Sequence, residues 1–406
     1  MFYDKQNDVS PSGGLNRHDI YYSKYGGSKK GSNKDVMAEA CRRKLLELLK
    51  IDGNEVCSDC KRKDPEWASY NIGIFLCTQC AGIHRNLGSH VSKVKSLRLD
   101  NWDLDQVKFM EEMGNKKAAQ KYEIYVPICY RRPSPDDVQV LKEQWVRAKY
   151  QREEFIYPDC QIYLHQTMEG WLWKRGKDGG RFQLRKFVLS QINNTLVYYV
   201  KENREPKAVI RVSELNATFS PNKIGNLNGM QLSYIKDGAT RNIFLYSEDG
   251  KEIVDWYMAI RSAKLNHLQI AFPGINDEEL IHRLTRDFTK EGWLWKTGPR
   301  TGNAYRKRWF TLDDRKLMYS EDPLDAFPKG EIFLGNISEG YAIKKGVPAG
   351  MKNQGFSFTL KTPERTYLLS AEAEDDQVEW ITVIQQVLER ALTPQDKTYK
   401  LILRKH

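Results

Sequence analysis

Hydrophobic and polar positions follow two different periods along this chain. In MAEACRRKLLELLK, from Met37, residues Leu45, Leu46, Leu48 and Leu49 fall on one stripe and predict an amphipathic helix. Asp103 is suited to cap a helix carrying Val107, Phe109 and Met110, and DDVQVLKEQWVRAKYQREEF, Asp136 to Phe155, predicts a long amphipathic helix. Past residue 165 the period shortens to alternating segments: FVLS, LVYYV, AVIRV and NIFLYS, then WFTL, KLMYS, EIFLG, FSFTL and TYLLS. EGWLWK stands at Glu169 to Lys174 and again at Glu291 to Lys296, and each copy runs on to a helix with a central Trp, at Trp256 and Trp380. Such an internal repeat, with about seven short strands and one helix in about 100 residues, predicts a small β-barrel plugged at one end, present twice. Between the copies, NHLQIAFPGINDEELIHRLTRDF is too apolar for a free tether, so the barrels are expected to rest against each other.

Length sharpens this division. The 406 residues suggest two to four domains, and 40% hydrophobic with 29% charged residues is the balance of a folded chain. The expected order is a disordered tail over 1–36, a mainly helical domain over 37–165 and a barrel over 168–266. A linker over 267–287, a second barrel over 288–392 and a tail over 393–406 follow. No apolar run approaches the roughly 18 residues of a membrane span, and the N-terminus has no secretory h-region, so an intracellular location is expected.

The net charge of +11 is uneven: residues 168–265 carry 16 basic against 10 acidic side chains, residues 37–165 carry 21 against 19, and residues 288–392 carry 15 of each. The middle third is therefore the expected polyanion binder, a charge that suits nucleic acid and anionic lipid equally.

Four of the seven cysteines form C-x2-C at Cys57 and Cys60, then C-x2-C at Cys77 and Cys80 after sixteen residues. Two chelating turns supplying four thiolates make a closed tetrahedral site, so one structural Zn2+ is expected, with no open position for chemistry. His84 and His90 are then packing or hydrogen-bonding residues rather than ligands, and Cys41, Cys129 and Cys160 are expected to be buried thiols.

With Arg85 added, these cysteines give C-x2-C-x16-C-x2-C-x4-R. The surrounding stretch, DPEWASYNIGIFLCTQCAGIHRNLGSHVSKVKSLRLDNW, resembles the catalytic core of the Arf GTPase-activating proteins. The resemblance implies that Arg85 is the catalytic arginine, delivered in trans to an Arf-family GTPase in its GTP form. Charge builds on the transferring phosphoryl group, and an arginine supplied by the activator is worth roughly 10³ to 10⁵ in rate. Trp67, Ile83 and Leu87 are expected to shape the partner surface around it or support the arginine, with a place in the core of a small zinc domain as the alternative for Trp67 and Ile83.

The repeated units resemble pleckstrin homology (PH) domains. In the first, Lys174 and Arg185 are implied as the central pair of a phosphoinositide site, with Tyr198 and Lys207 beside them and Arg175, Lys177 and Arg181 in the same basic run. The second offers Lys296, Arg306, Arg308 and Lys329, along with Arg300 and Lys307, and departs from the pattern at Met318, where the first of the paired tyrosines is expected. Convergent cations at the barrel mouth suit several phosphates at once.

The fold class expected is thus multidomain α+β: a zinc-containing, mainly helical ArfGAP domain followed by two PH-type seven-stranded barrels, each capped by a C-terminal helix. This order resembles the centaurin-alpha family, the Arf GTPase-activating proteins with dual PH domains. The family implies phosphatidylinositol 3,4,5-trisphosphate and soluble inositol 1,3,4,5-tetrakisphosphate as ligands. It also implies a cytoplasmic protein recruited peripherally to the plasma membrane, with the nucleus as a second compartment; a monomer is the default. The competing reading is a non-catalytic, phosphoinositide-dependent scaffold or headgroup receptor. A nucleic-acid-binding zinc ribbon wants basic and aromatic residues around the metal, and the near-neutral first domain does not supply them, so no nucleic acid partner is expected.

Overall fold

The computed structural model describes residues 33–400 except 177–179, 202–203, 299–301, 352, 395 and 398–399. The expected tail over 1–32, with Lys177 and Arg300, lies outside the described residues. The first helix, Asn33–Leu48, begins before Met37, so residues 33–36 are helical rather than tail. Asp35 in its first turn complements the positive end of the helix dipole. Its Cys41, Leu45 and Leu48 pack with Phe75, Leu97, Trp102 and Met110. A three-stranded antiparallel sheet follows, in the order β2-β1-β3, with β1 Trp67–Ser69, β2 Ile74–Leu76 and β3 Val94–Ser96. Helices Thr78–Asn86, Leu104–Glu112, Gly114–Tyr122 and Gln139–Tyr150 complete this unit.

The last of these is shorter than the stretch Asp136 to Phe155. At its start the Asp137 carboxylate accepts from the Ser134 N–H at 2.6 Å and from Arg131, which holds Asp137 in a turn. At its end Glu153 takes a left-handed φ of 52°, and the Glu154 N–H donates to Ala148 at 2.9 Å instead of continuing the helical ladder.

Each barrel is a seven-stranded antiparallel sheet. The first contains β4 (Thr167–Arg175), β5 (Phe182–Ser190), β6 (Thr195–Tyr199), β7 (Ala208–Arg211), β8 (Asn216–Phe219), β9 (Gly229–Lys236) and β10 (Ala239–Tyr246), in the order β7-β6-β5-β4-β10-β9-β8. The second repeats that order with β14-β13-β12-β11-β17-β16-β15. There β11 is Lys290–Lys296, β12 Arg306–Asp313, β13 Lys316–Ser320, β14 Gly330–Phe333, β15 Ala342–Lys345, β16 Phe356–Lys361 and β17 Thr366–Ala371. Helices Gly250–Ala271 and Glu374–Glu389 cap them, burying Trp256 and Trp380.

The motif glycine and the distant tryptophan of each repeat meet in space. A Cβ on Gly170 would lie 3.4 Å from the Trp256 ring, and one on Gly292 would lie 3.8 Å from Trp380. The strand backbone and the ring of the capping helix thus lie in direct contact at this position.

The zinc module and the first barrel share one apolar core, in which Val140, Leu141, Trp145 and Tyr163 join Ile253, Trp256, Tyr257 and Ile260. Each large side chain fully buried there contributes about 1.5–3 kcal/mol. Arg261 donates to the Cys129 carbonyl at 2.7 Å across the same seam. The barrels rest against each other as the apolar linker suggests: Lys316 donates to Thr240 at 2.8 Å and the Asn242 N–H to Ala326 at 2.8 Å, while Arg286 of the linker pairs with Asp313 at 2.6 Å. Within the linker, Leu280 and Leu284 are buried beside Cys129 and Leu265. Cys41 and Cys129 are buried thiols, and burial pushes the Cys129 thiol up to about 11. Cys160, expected to be buried, is exposed on a short 3-10 turn. Among the described residues no helix is long and apolar enough to cross a membrane.

Candidate functional site

The loop before β1 and the start of helix Thr78–Asn86 bring Cys57, Cys60, Cys77 and Cys80 together, all buried, with their Sγ atoms within 4.8 Å of one another. The Cys60 and Cys77 sulfurs are 3.6 Å apart. A tetrahedral ion with Zn–S bonds of about 2.3 Å has an edge of about 3.8 Å, so the donor set fits zinc closely. Four sulfurs fill such a site, which would fasten the helix to the preceding loop and leave no position for substrate.

His84 is spoken for elsewhere. It is fully buried, with Nδ1 2.9 Å from the Ser92 hydroxyl and Nε2 3.0 Å from the Asp59 carboxylate. Asp59, between the first two cysteines, also receives the Tyr150 hydroxyl at 3.1 Å and faces Lys149 at 3.4 Å. Burial works to raise the Asp59 carboxyl, but Lys149, His84 and Tyr150 outweigh it and hold the group below the usual carboxylate range. Lys149 in turn meets Glu123 at 2.8 Å. The helix is thus tied at its start by Cys77 and Cys80 and, one turn on, by a buried polar network that reaches helix Gln139–Tyr150.

Arg85 leaves this helix on the opposite face. It is exposed, and its guanidinium carbon lies 4.2 Å from the centroid of Trp67 on β1. Gly88, at a φ of 89°, ends the helix two residues past its last turn, and its carbonyl accepts from Ser92 at 3.0 Å. Ile83 and Leu87 are each only 2% exposed, which corrects the expectation that they form partner surface. Four residues apart on one helix, they share its inward face, while Arg85 points the other way. Of the three apolar candidates, Trp67 alone is partly exposed beside Arg85.

At the first barrel's mouth, Lys174 is the next-to-last residue of β4, with Nζ 5.0 Å from the Tyr198 ring. Burial, then Arg241 and Arg185, lower the Lys174 ammonium to about 8. Lys207 is exposed, and its N–H donates to the Tyr198 carbonyl at 2.8 Å. The second barrel repeats the arrangement. Lys296 lies 4.4 Å from the Tyr319 ring and is lowered to about 8 by burial, Arg365 and Arg308, while the Lys329 N–H donates to Tyr319 at 2.8 Å. Lys296, Arg306, Arg308, Tyr319 and Lys329 line one cavity of about 340 Å³.

Strand pairing corrects the sequence comparison of the two barrels. Tyr198 pairs with Phe187 and Tyr319 with Phe310, so Tyr319, not Met318, is the counterpart of Tyr198. Met318 is buried at the place of Val197, so the second site keeps its tyrosine. Pairing also shows one cation per barrel that the motifs had not indicated. Arg241 stands four residues before Leu245, the partner of Lys174, and Arg365 four before Leu369, the partner of Lys296. Arg241 Nη1 and Arg365 Nε are buried with no hydrogen-bond partner among the described residues. Each lies far along the sequence from its site, and only the closing strand of the barrel returns it there.

Comparison with known proteins agrees with this architecture. The ArfGap family model (GTPase activating protein for Arf) matches residues 42–159, and the PH domain model matches 166–265 and 288–389. The chain is 46% identical to human (Homo sapiens) Arf-GAP with dual PH domain-containing protein 2 over 363 residues, 88% of this chain and 95% of that protein. The mouse (Mus musculus) protein of the same name is 45% identical over the same shares. Among solved structures, the ArfGap domain of HIV-1 Rev binding protein is 23% identical, covering 31% of this chain and 93% of that one at a TM-score of 0.27. With one ArfGAP domain and two PH domains, and with 46% identity across 95% of a relative of the same domain order, the chain belongs to the family of Arf GTPase-activating proteins with dual PH domains.

Proposed function

We propose that the protein accelerates GTP hydrolysis by a membrane-bound Arf·GTP, with Arg85 entering the GTPase site in trans. The observation that carries this reading is an exposed guanidinium on a helix whose opposite face is fastened by four cysteines and the His84–Asp59 network. A rigid mount matters because a guanidinium stabilises the phosphoryl transition state only when its fork arrives aligned with the oxygens. Zinc in the cysteine site would supply mechanical restraint and no chemistry.

The two barrels serve recruitment. Lys174, Arg185, Lys207 and Arg241 in the first, with Lys296, Arg306, Arg308, Lys329 and Arg365 in the second, suit phosphatidylinositol 3,4,5-trisphosphate and its headgroup, inositol 1,3,4,5-tetrakisphosphate. Docking from the cytoplasm onto plasma-membrane lipid raises the effective concentration of Arg85 near Arf more than it alters the site. The nucleus stands as a second compartment, and the working unit is the monomer.

The test is single-turnover GTP hydrolysis by myristoylated Arf on liposomes with and without the trisphosphate lipid. Arg85→Lys should lose on the order of 10³ in rate with zinc retained, and the native protein should be faster on the charged liposomes. Equal rates for both proteins at the intrinsic level of Arf would leave a lipid-gated scaffold instead.

A further inference from the structure

The second cationic site already holds an anion of its own. Glu321, the first residue after β13, accepts from Arg308 at 3.0 Å and lies 3.2 Å from the Lys329 ammonium. Its carboxyl is held below the usual range by the hydrogen bond and charge of Lys329, then by Arg308 and Arg306. The carboxylate therefore stands between two of the cations that would grip a phosphate.

The backbone that carries it is held in place. The Glu321 and Asp322 N–H groups both donate to the Asp325 carboxylate, at 3.0 and 3.1 Å, closing a tight turn. That turn is clamped to the first barrel, where Arg175 donates to the Leu324 carbonyl at 3.0 Å and the Asn242 N–H to Ala326 at 2.8 Å. The Arg241 guanidinium lies 4.8 Å from the Phe327 ring in the same loop.

Among the described residues of the first barrel, no carboxylate pairs with Arg185 and Lys207 in this way. Because Tyr198 is the counterpart of Tyr319, the residue matching Glu321 is Val200, 44% exposed at the end of β6. An apolar side chain thus stands in the first barrel at the position from which a carboxylate meets Arg308 and Lys329 in the second.

We infer that Glu321 is an internal competitor that sets the charge threshold of the second site. A ligand must displace one carboxylate from Arg308 and Lys329 before phosphate can take its place. A single phosphodiester would replace one negative charge with one. Neighbouring phosphomonoesters, each about −1.5 to −2, bring a surplus that also reaches Lys296 and Arg306. The second barrel thereby demands an inositol ring bearing adjacent phosphates, and the first barrel, with Val200 at that position, fills at lower concentration. This rests on the reading of both barrels as phosphoinositide sites.

The test uses the full chain and calorimetry with inositol 1,3,4,5-tetrakisphosphate. With the first site disabled by Arg185→Ala, Glu321→Gln should tighten the remaining site about fivefold, in the range of two partly exposed charge contacts. In the reciprocal design, Arg308→Ala disables the second site, and Val200→Glu should weaken the first by a similar factor. Vesicles containing phosphatidylinositol 3,4,5-trisphosphate separate the two sources of this chemistry. A gain on vesicles alone assigns Glu321 to selecting lipid, and a gain in both assays assigns it to the headgroup itself. Unchanged binding by Glu321→Gln in both assays, while Arg308→Ala still abolishes it in the Arg185→Ala background, would overturn the competitor. Absence of binding by the unsubstituted protein would instead overturn the phosphoinositide reading.

Discussion

Arg85 rests on Trp67, its guanidinium carbon 4.2 Å from the ring centroid. One is the only exposed arginine on its helix, and the other sits on the strand beside it, paired with Leu76 and Ser96. A cation over an exposed ring is worth about 0.5–1 kcal/mol, enough to narrow the orientations of the arginine before an Arf arrives. Trp67→Ala should lower the single-turnover rate about fivefold, well short of the loss on removing Arg85, with Trp67→Phe intermediate. A loss as large as that of Arg85→Lys would instead mean that Trp67 binds the partner directly.

The network behind the helix is expected to matter for stability. Replacing Asp59 by Ala would leave Lys149, His84 and the Tyr150 hydroxyl short of a buried acceptor, and removing one member of a buried charge pair costs about 3–5 kcal/mol. Because Lys149 keeps Glu123 at 2.8 Å, the loss should fall at the lower end, about 3 kcal/mol by urea unfolding. Asp59→Asn, which keeps an acceptor, should cost less. Equal losses for the two variants would show that charge rather than hydrogen bonding holds the helix.

Lys174 makes the first site sensitive to alkaline pH. Its ammonium is lowered to about 8 by burial and by Arg241 and Arg185, so the free site loses a cation as pH rises through that value. Calorimetry with inositol 1,3,4,5-tetrakisphosphate at pH 7.5 and 9.5, with the second site disabled, should show weaker binding at the higher pH. The bare protein should behave in the opposite way, because an unfolded lysine holds its proton up to about 10.4, so stability rises from about pH 8 to that value. Lys174→Arg, protonated throughout, should flatten both trends; an undiminished fall in its affinity would place the titration elsewhere.

Much of this was legible in the sequence, for reasons that differ from residue to residue. The cysteine spacing declared itself because chelation needs both short spacers, and EGWLWK with its distant Trp could be read because Gly170 and Trp256 are one contact. The inward turn of Ile83 and Leu87 was available in their helical spacing, but their nearness to Arg85 in the motif suggested otherwise. Arg241 and Arg365 could not be read, since each is one basic residue on, or just before, a strand that only barrel closure brings to the site. The confusion of Met318 with Tyr319 has a simple cause: side chains on a strand alternate faces, so an offset of one residue exchanges inside for outside. Nor does an amphipathic pattern in Gln139–Tyr150 say which neighbour its apolar stripe will meet.

That stripe meets the first barrel, and the shared core around Trp145 and Trp256 leaves no hinge between the module bearing Arg85 and the barrel bearing Lys174. Anchored to a bilayer, such a protein would not dangle its arginine on a tether. It would carry it at a fixed height and tilt, like a tool on a carriage, so that meeting an Arf becomes a search in two dimensions with the approach angle already chosen.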